Sequence, residues 1–393
     1  MTHLGLGRPL FGLMVAETLL WGTLFYSFPV LVPQWQAGFG WSNPQIMGAF
    51  TCALLVTALS APFFGRLVDR GYGAQLMGLS AAGGAVLLLA LSMVTSLPMF
   101  YAIWIGLGLA MGGCLYETSF AIATRTNGAR AKQMITWITL VAGFASTLAY
   151  PAFAVIAQTH GWRTAILGAA IIVGTIASPL AYLSAHALER SRRPDAPAPP
   201  DAPPVPQTAY GQKFWLLVLS YSLFSLTIGI MISHLFPILA DRGVAPAQAI
   251  LAGALIGPMQ VLGRLAVMLA GTRWSHIKTA IVAFVSVAVG AGFMAVSGSG
   301  AVFMGLFVIG MGCGYGVAGI MRPVLTRDLL GNRGFGAISG AVALPALLSF
   351  ALAPTIGAAI FAIGGYDMVL AICVASAVIG AGSIWIAGRD SGT

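Results

Sequence analysis

Between the apolar stretches QIMGAFTCALLVTALSAPFF (45–64) and QLMGLSAAGGAVLLLALSMVT (75–95) stands a short charged turn, Gly65-Arg66-Leu67-Val68-Asp69-Arg70-Gly71. Neither flank holds an Asp, Glu, Lys or Arg, and each has the ~20 residues an α-helix needs to cross the hydrocarbon core of a bilayer. The turn leaves room only for a hairpin return. The region therefore reads as two antiparallel membrane-spanning helices joined by a charged loop at one membrane surface.

The same pattern fills the rest of the chain. Apolar runs fall at 10–34, 45–64, 75–95, 98–123, 133–157, 164–187, 214–240, 247–270, 278–297, 300–325, 334–361 and 366–387, separated by turn or charge signals. Of the 393 residues, 58% are hydrophobic and 7% charged, at a mean hydropathy of +0.91. A soluble domain carries about a quarter charged residues. Soluble classes are excluded, and an all-α polytopic membrane protein of twelve transmembrane helices is expected. The first run is too long for the apolar core of a cleavable signal and lacks a convincing cleavage site, so it is expected to be its own insertion signal.

The longest connector, 188–212, begins with Glu189, Arg190, Arg192 and Arg193 and continues as Pro194-Asp195-Ala196-Pro197-Ala198-Pro199-Pro200 as far as Pro206. Such Pro/Ala composition makes an extended, solvated linker. It separates 1–187 from 213–393, and the two halves resemble each other. Phe28-Pro29-Val30-Leu31 is matched by Phe236-Pro237-Ile238-Leu239, and Gly113-Cys114-Leu115-Tyr116 by Gly312-Cys313-Gly314-Tyr315. Pro151 with Gly161-Trp162-Arg163 is matched by Pro354 with Gly365-Tyr366-Asp367. The order is kept at a nearly constant offset, as expected of a duplicated six-helix unit forming two pseudo-symmetric bundles.

The formal charge of +9 would suggest nucleic acid in a soluble chain, but here its placement sets topology. With the N-terminus inside, the inner loops hold Arg8, Arg66, Arg70, Arg125, Arg130, Lys132, Arg190, Arg192, Arg193, Lys213, Arg273, Lys278, Arg327, Arg333 and Arg389, and the outer loops only Arg163 and Arg242. Cytoplasmic loops carry such an excess. Both termini are therefore expected in the cytoplasm, with no nucleic-acid partner. Cys52, Cys114, Cys313 and Cys373 lie inside apolar runs without a C-x-x-C pair, so neither a metal site nor a disulfide framework is expected.

Six helices plus six, both termini inside and a long middle loop resemble the major facilitator superfamily over essentially the whole chain. Gly65 through Gly71 is similar to its signature loop, with Asp69 and Arg70 as the central pair. The resemblance implies a conformational latch at Gly65, Asp69 and Arg70. Physically, Asp69 can accept hydrogen bonds from helix N-terminal amides, and the arginines hold the loop at the surface. The equivalent Gly271-Thr272-Arg273 lacks an acid, so the latch is one-sided. Phe39-Gly40-Trp41-Ser42, Gly257-Pro258 and Gly263-Arg264 further resemble the bacterial monocarboxylate and oxalate-formate branch.

Glu17, Glu117, His234, Arg264 and Arg322 are the ionisable groups, Tyr and Cys aside, clearly within the runs rather than at their ends. Charge at membrane depth is costly and marks functional sites. Four of the five lie on the first, fourth, seventh and tenth helices, which the resemblance implies line a central cavity. Arg264 is about 16 residues, roughly 25 Å, along its run; its planar fork suits a carboxylate, with Gln260 one turn away on the same face. Arg322, near the inner end of its run, either snorkels or serves the cavity, and Tyr315 shares its face. Trp21 and His234 are further substrate-site candidates. Glu17 and Glu117 are candidate proton carriers, or else structural partners of the arginines.

No enzyme motif occurs, neither G-x-S-x-G nor a Walker loop nor H-E-x-x-H, so a non-enzyme without cofactor is expected. The expected activity is secondary transport of a small organic anion, a monocarboxylate first, by alternating access with protons as candidate coupling ion. The alternative is proton-driven efflux of an amphipathic drug, although the superfamily's antiporter signature is replaced by Tyr150-Pro151-Ala152-Phe153. A monomer in a bacterial inner membrane is the expected setting.

Overall fold

The computed structural model describes residues 7–126, 130–191, 211–270, 274–331 and 335–389, and no strand occurs among them. The helices are α1 (Gly7–Phe39), α2 (Asn43–Asp69), α3 (Gly73–Ser92), α4 (Leu97–Thr126), α5 (Ala131–Ala142 with Ala145–His160) and α6 (Trp162–Arg190). They continue as α7 (Gln212–Ser233 with Leu235–Asp241), α8 (Pro246–Ala270), α9 (His276–Ala295) and α10 (Ala301–Leu330). The last stretch, Phe335–Arg389, leaves helical geometry at Gly364 and Gly365 (φ +65°), which divides it into α11 (335–363) and α12 (366–389). The described chain thus holds twelve membrane-crossing helices in two six-helix bundles.

Local chemistry sets several boundaries. At the start of α2, Ser42 Oγ accepts from Gln45 N (3.4 Å) while Gln45 Oε1 accepts from Ser42 N (2.9 Å), a reciprocal cap that satisfies two helix-end donors. Ser275 caps α9 by accepting from Lys278 N. α1 stops at Gly40 (φ +67°), a backbone conformation that glycine adopts without a Cβ penalty.

The chain forms two compact units, Met1–Ala196 and Pro197–Thr393. Most of the linker, 192–210, lies outside the described residues. In the first unit α4 packs on α2 and α3, α3 on α6, and α1 on α5 and α6. The second repeats this set: α10 on α8 and α9, α9 on the α11–α12 stretch, and α7 on that same stretch.

Lipid tails are as apolar as leucine, so bundles in membranes are held by close packing across small residues. In α4 a Cβ on Gly108 would run into the backbone of Ala53, and Thr57 Oγ1 donates to the Gly108 carbonyl (2.8 Å). In α10 alternate glycines serve two neighbours. Gly312 and Gly316 abut the α8 backbone at Ile256 and Gln260, while Gly310 and Gly314 abut α9 at Ser286 and Ala283. Outward-facing side chains such as Leu79, Leu148, Leu269 and Ile363 are apolar and exposed, as a lipid-facing surface requires.

Candidate functional site

In the first unit the predicted residues lie on two irregular helices. α1 runs as an α-helix to Leu20 and then widens into a π-helical turn, Trp21–Phe25. Turns of this kind add one residue and recur at functional sites. α4 is interrupted at Leu115, whose backbone is extended (φ −95°, ψ −162°), and restarts at Tyr116. Thr118 Oγ1 donates to the Gly112 carbonyl (3.1 Å), which compensates part of the interrupted ladder. The break falls directly after Gly112-Gly113-Cys114.

Glu17, one turn before the π segment, is completely buried. Its closest polar surroundings are Ser119, Glu117 and Trp21, yet neither carboxylate oxygen has a hydrogen-bond partner of sound geometry. Ser119 Oγ donates instead to the Tyr116 carbonyl (3.2 Å). Trp21 Nε1 is likewise buried without an acceptor. A buried polar group lacking a partner costs about 1–3 kcal/mol, so this spot conserves an unmet demand for hydrogen bonds. Glu117 differs: the restart at Tyr116 places it in the first turn of a new helical segment, where it is exposed. The two carboxylates therefore occupy unlike environments.

Trp21, beside Glu17, opens into a group of aromatic rings. Trp21 packs on Tyr116 (4.7 Å between centroids) and Phe25 (5.1 Å), Tyr116 stacks on Phe120 (5.0 Å), and Tyr26 meets Tyr150 edge-on (5.4 Å). Trp21, Tyr26, Tyr116 and Phe120 each keep part of their surface open. Sequence reading named only Trp21. The placement of Tyr116 depends on the α4 break, which hydropathy does not register. An apolar cavity of about 220 Å³ adjoins the same turn of α1, lined by Thr18, Gly22, Thr23 and by residues of α5 and α6.

In the second unit the fold brings four predicted residues together. Arg264 Nε donates to the Gly316 carbonyl (3.2 Å), tying α8 to α10 where Gly316 abuts Gln260. Arg264 is half-buried and Gln260 buried. The Tyr315 phenol lies within electrostatic range of both Arg264 and Arg322. Tyr221 of α7, which sequence reading passed over, lies within range of Arg322 and is buried with its hydroxyl unpartnered. Of the carboxylates described in this unit, Asp367 and Asp241 pair with Arg242 (2.6 and 3.7 Å) and Asp328 with His276 (2.5 Å). The cluster is cationic and phenolic.

His234 stands apart from these four. It lies wholly buried at the break in α7, with Nε2 2.9 Å from the Pro354 carbonyl and Nδ1 3.5 Å from the Tyr366 hydroxyl. Donation to Pro354 requires the proton on Nε2. In this position the ring fastens α7 to α11 and α12.

At the charged turn, Gly71 takes φ +93°, and Asp69 and Arg70 are exposed. The task assigned to Asp69, accepting helix N-terminal amides, falls to Glu189 at the end of α6. Its carboxylate accepts from Gly73 N (3.2 Å) and Ala74 N (3.3 Å) at the start of α3, and Arg125 at the end of α4 donates to it (3.5 Å). The equivalent turn of the second half, Gly271-Thr272-Arg273, lies outside the described residues. Among the described residues no group of three or more His, Cys, Asp or Glu could hold a metal ion.

The sequence profile of the Major Facilitator Superfamily matches residues 11–344. The chain belongs to that superfamily and is a multi-pass membrane transporter of it. Its fold is similar to that of a bacterial homolog of the human lysosomal transporter Spinster in an inward-facing, unoccupied conformation, with a TM-score of 0.69 and 15% identity over 98% of this chain and 97% of that one. It is also similar to the nucleoside transporter NupG, with a TM-score of 0.72 and 13% identity over 97% of this chain and 99% of that one. At such identity the likeness speaks for the fold. No curated protein sequence matches.

Proposed function

We propose that the chain is a secondary transporter of a small organic anion, a monocarboxylate first, working by alternating access with both termini in the cytoplasm. The observation that carries this reading is the Arg264, Tyr315, Arg322 and Tyr221 cluster. Two guanidinium groups and two phenols, all hydrogen-bond donors, gather on the apolar helices of one unit. Such a set favours an anion, and a guanidinium fork matches a carboxylate in particular. Gly316 orients Arg264 through its Nε, and Gln260 adds an amide on the same helix.

Glu17 is the proton carrier in this proposal, because it is a fully buried intramembrane carboxylate whose oxygens have no hydrogen-bond partner. Glu117 acts beside it at the α4 restart. A second reading, efflux of an amphipathic cation, is favoured by one feature: the ring cluster of Trp21, Tyr26, Tyr116 and Tyr150, which adjoins Glu17 through Trp21, suits a flat cation.

The test is a thermal-shift screen of the purified protein against small carboxylates, nucleosides and lipophilic cations, since a ligand of the folded state raises stability by mass action. Stabilisation by carboxylates that disappears in Arg264→Gln supports anion transport. Stabilisation by cations alone, abolished by Glu17→Gln, replaces it with efflux.

A further inference from the structure

The geometry points to a binding site for the headgroup of an anionic phospholipid on the second unit, where the start of α7, the start of α9 and the end of α12 meet. It is independent of the transport reading above. The three helix ends are in register. Ser220 Oγ donates to the Gly380 carbonyl (2.8 Å) and Thr227 Oγ1 to that of Cys373 (3.3 Å), so α7 and α12 run antiparallel with the start of one beside the end of the other. On the other flank, a Cβ on Gly380 would meet Phe284 of α9 at 2.9 Å, and one on Gly388 would meet Ile277 at 2.6 Å. Counted from the level of Ser220, Phe284 and Gly380 at 1.5 Å per residue, Lys213, Lys278 and Arg389 all lie roughly 9–14 Å further toward the same end.

This end carries the chemistry of a membrane boundary. Trp215, Trp274 and Trp385 are 63%, 52% and 53% exposed, whereas Trp35 and Trp104 of the first unit are completely buried. Exposed indoles at helix ends sit at the level of lipid headgroups. Arg389 lies over the Trp385 ring (4.7 Å), so its guanidinium is held on the outward face of α12, and Lys278 is exposed on α9. Asp328, at the end of α10, is engaged by His276. Cations fixed beside interfacial indoles complement a phosphodiester held at the same depth, and each Lys or Arg near an anionic membrane surface contributes attraction of about five-fold in affinity. The indoles select a lipid over a soluble phosphate, because they bury only against something inserted in the bilayer.

The experiment compares the full chain and a Lys278→Gln/Arg389→Gln double variant in nanodiscs of phosphatidylcholine with and without phosphatidylglycerol. Melting temperature is measured in both, together with retained lipid by native mass spectrometry. In phosphatidylcholine the two proteins should melt alike. Phosphatidylglycerol should raise the melting temperature of the unaltered chain and be retained by it, and the double variant should lose most of both effects. An equal rise and equal retention in the double variant would overturn the site. A rise reproduced by glycerol phosphate added to phosphatidylcholine discs would overturn the lipid as its occupant.

Discussion

Glu189 closes the N-terminus of α3 through the amides of Gly73 and Ala74 while receiving Arg125 from the end of α4, so one carboxylate joins three helix ends of the first unit. The two side chains are 12% and 19% exposed, which leaves them only partly screened by water. A carboxylate at a helix N-terminus also meets the positive end of the backbone dipole.

This arrangement predicts an asymmetric response to charge reversal. Glu189→Ala should lower stability by about 1–3 kcal/mol, as expected when buried donors lose their acceptor. The double exchange Arg125→Glu/Glu189→Arg restores an ion pair but leaves the Gly73 and Ala74 amides facing a cation. Its melting temperature should therefore stay near that of the single variant, and full recovery would show that the ion pair alone matters.

Arg264→Lys should weaken binding of the transported anion by at least about ten-fold although the charge is kept, because an ammonium lacks the planar fork and the Nε donor to Gly316. Titration of the purified variants against the ligand found by thermal shift gives the comparison. Unchanged affinity would remove the fork from the account.

Glu17 and Glu117 should part company on neutralisation. Glu17→Gln removes a carboxylate that has no hydrogen-bond partner in an apolar surround, so melting temperature should hold or rise. Exchange of substrate for substrate should persist while pH-driven accumulation is lost. Glu117→Gln, altering an exposed group, should leave accumulation reduced rather than abolished. Counterflow and proton-driven uptake in proteoliposomes read both. Retention of pH-driven uptake in Glu17→Gln would transfer the role to another group.

The glycines of α10 supply a paired test. Gly316→Ala would put a Cβ into the backbone of Gln260, whereas at Gly319 nothing lies within 4 Å. The first substitution should cost about 1–3 kcal/mol through overpacking. The second should be neutral, or stabilising by the higher helix propensity of alanine. Similar melting temperatures for the two would mean that α8 and α10 separate more easily than their contact implies.

The membrane spans were legible because hydropathy integrates over about twenty residues, and even the division of α11 from α12 at Gly364-Gly365 shows as a gap between apolar runs. Irregular backbone within a span leaves no such trace. Nothing in the hydropathy around Leu115 or Trp21 announces an extended residue or a π turn, so the unlike exposure of Glu17 and Glu117 and the gathering of Tyr26, Tyr116 and Tyr150 came only with the fold. The grouping of Gln260, Arg264, Tyr315 and Arg322 was partly readable, since charges on neighbouring apolar helices are few. Glu189 shows the opposite limit. Its sequence neighbours mark it as the first charge of a linker, while the motif around Asp69 points to that residue for the capping task; which carboxylate reaches the α3 amides depends on how α6 packs against α3.

The π turn in α1 also has a consequence for insertions and deletions. A turn of this kind is an α-helix holding one surplus residue, and removing it leaves the helix on either side facing as before. Deleting a single residue from Trp21–Phe25 should therefore spare the packing of both Gly7–Leu20 and Ser27–Phe39, and with it the assembly of the first unit. What it would erase is the widened turn itself, between Trp21 and Tyr26. In this stretch the length of the chain can be edited separately from its fold, and a shortened α1 would yield a folded protein with an unbroken α-helical ladder through Trp21–Phe25.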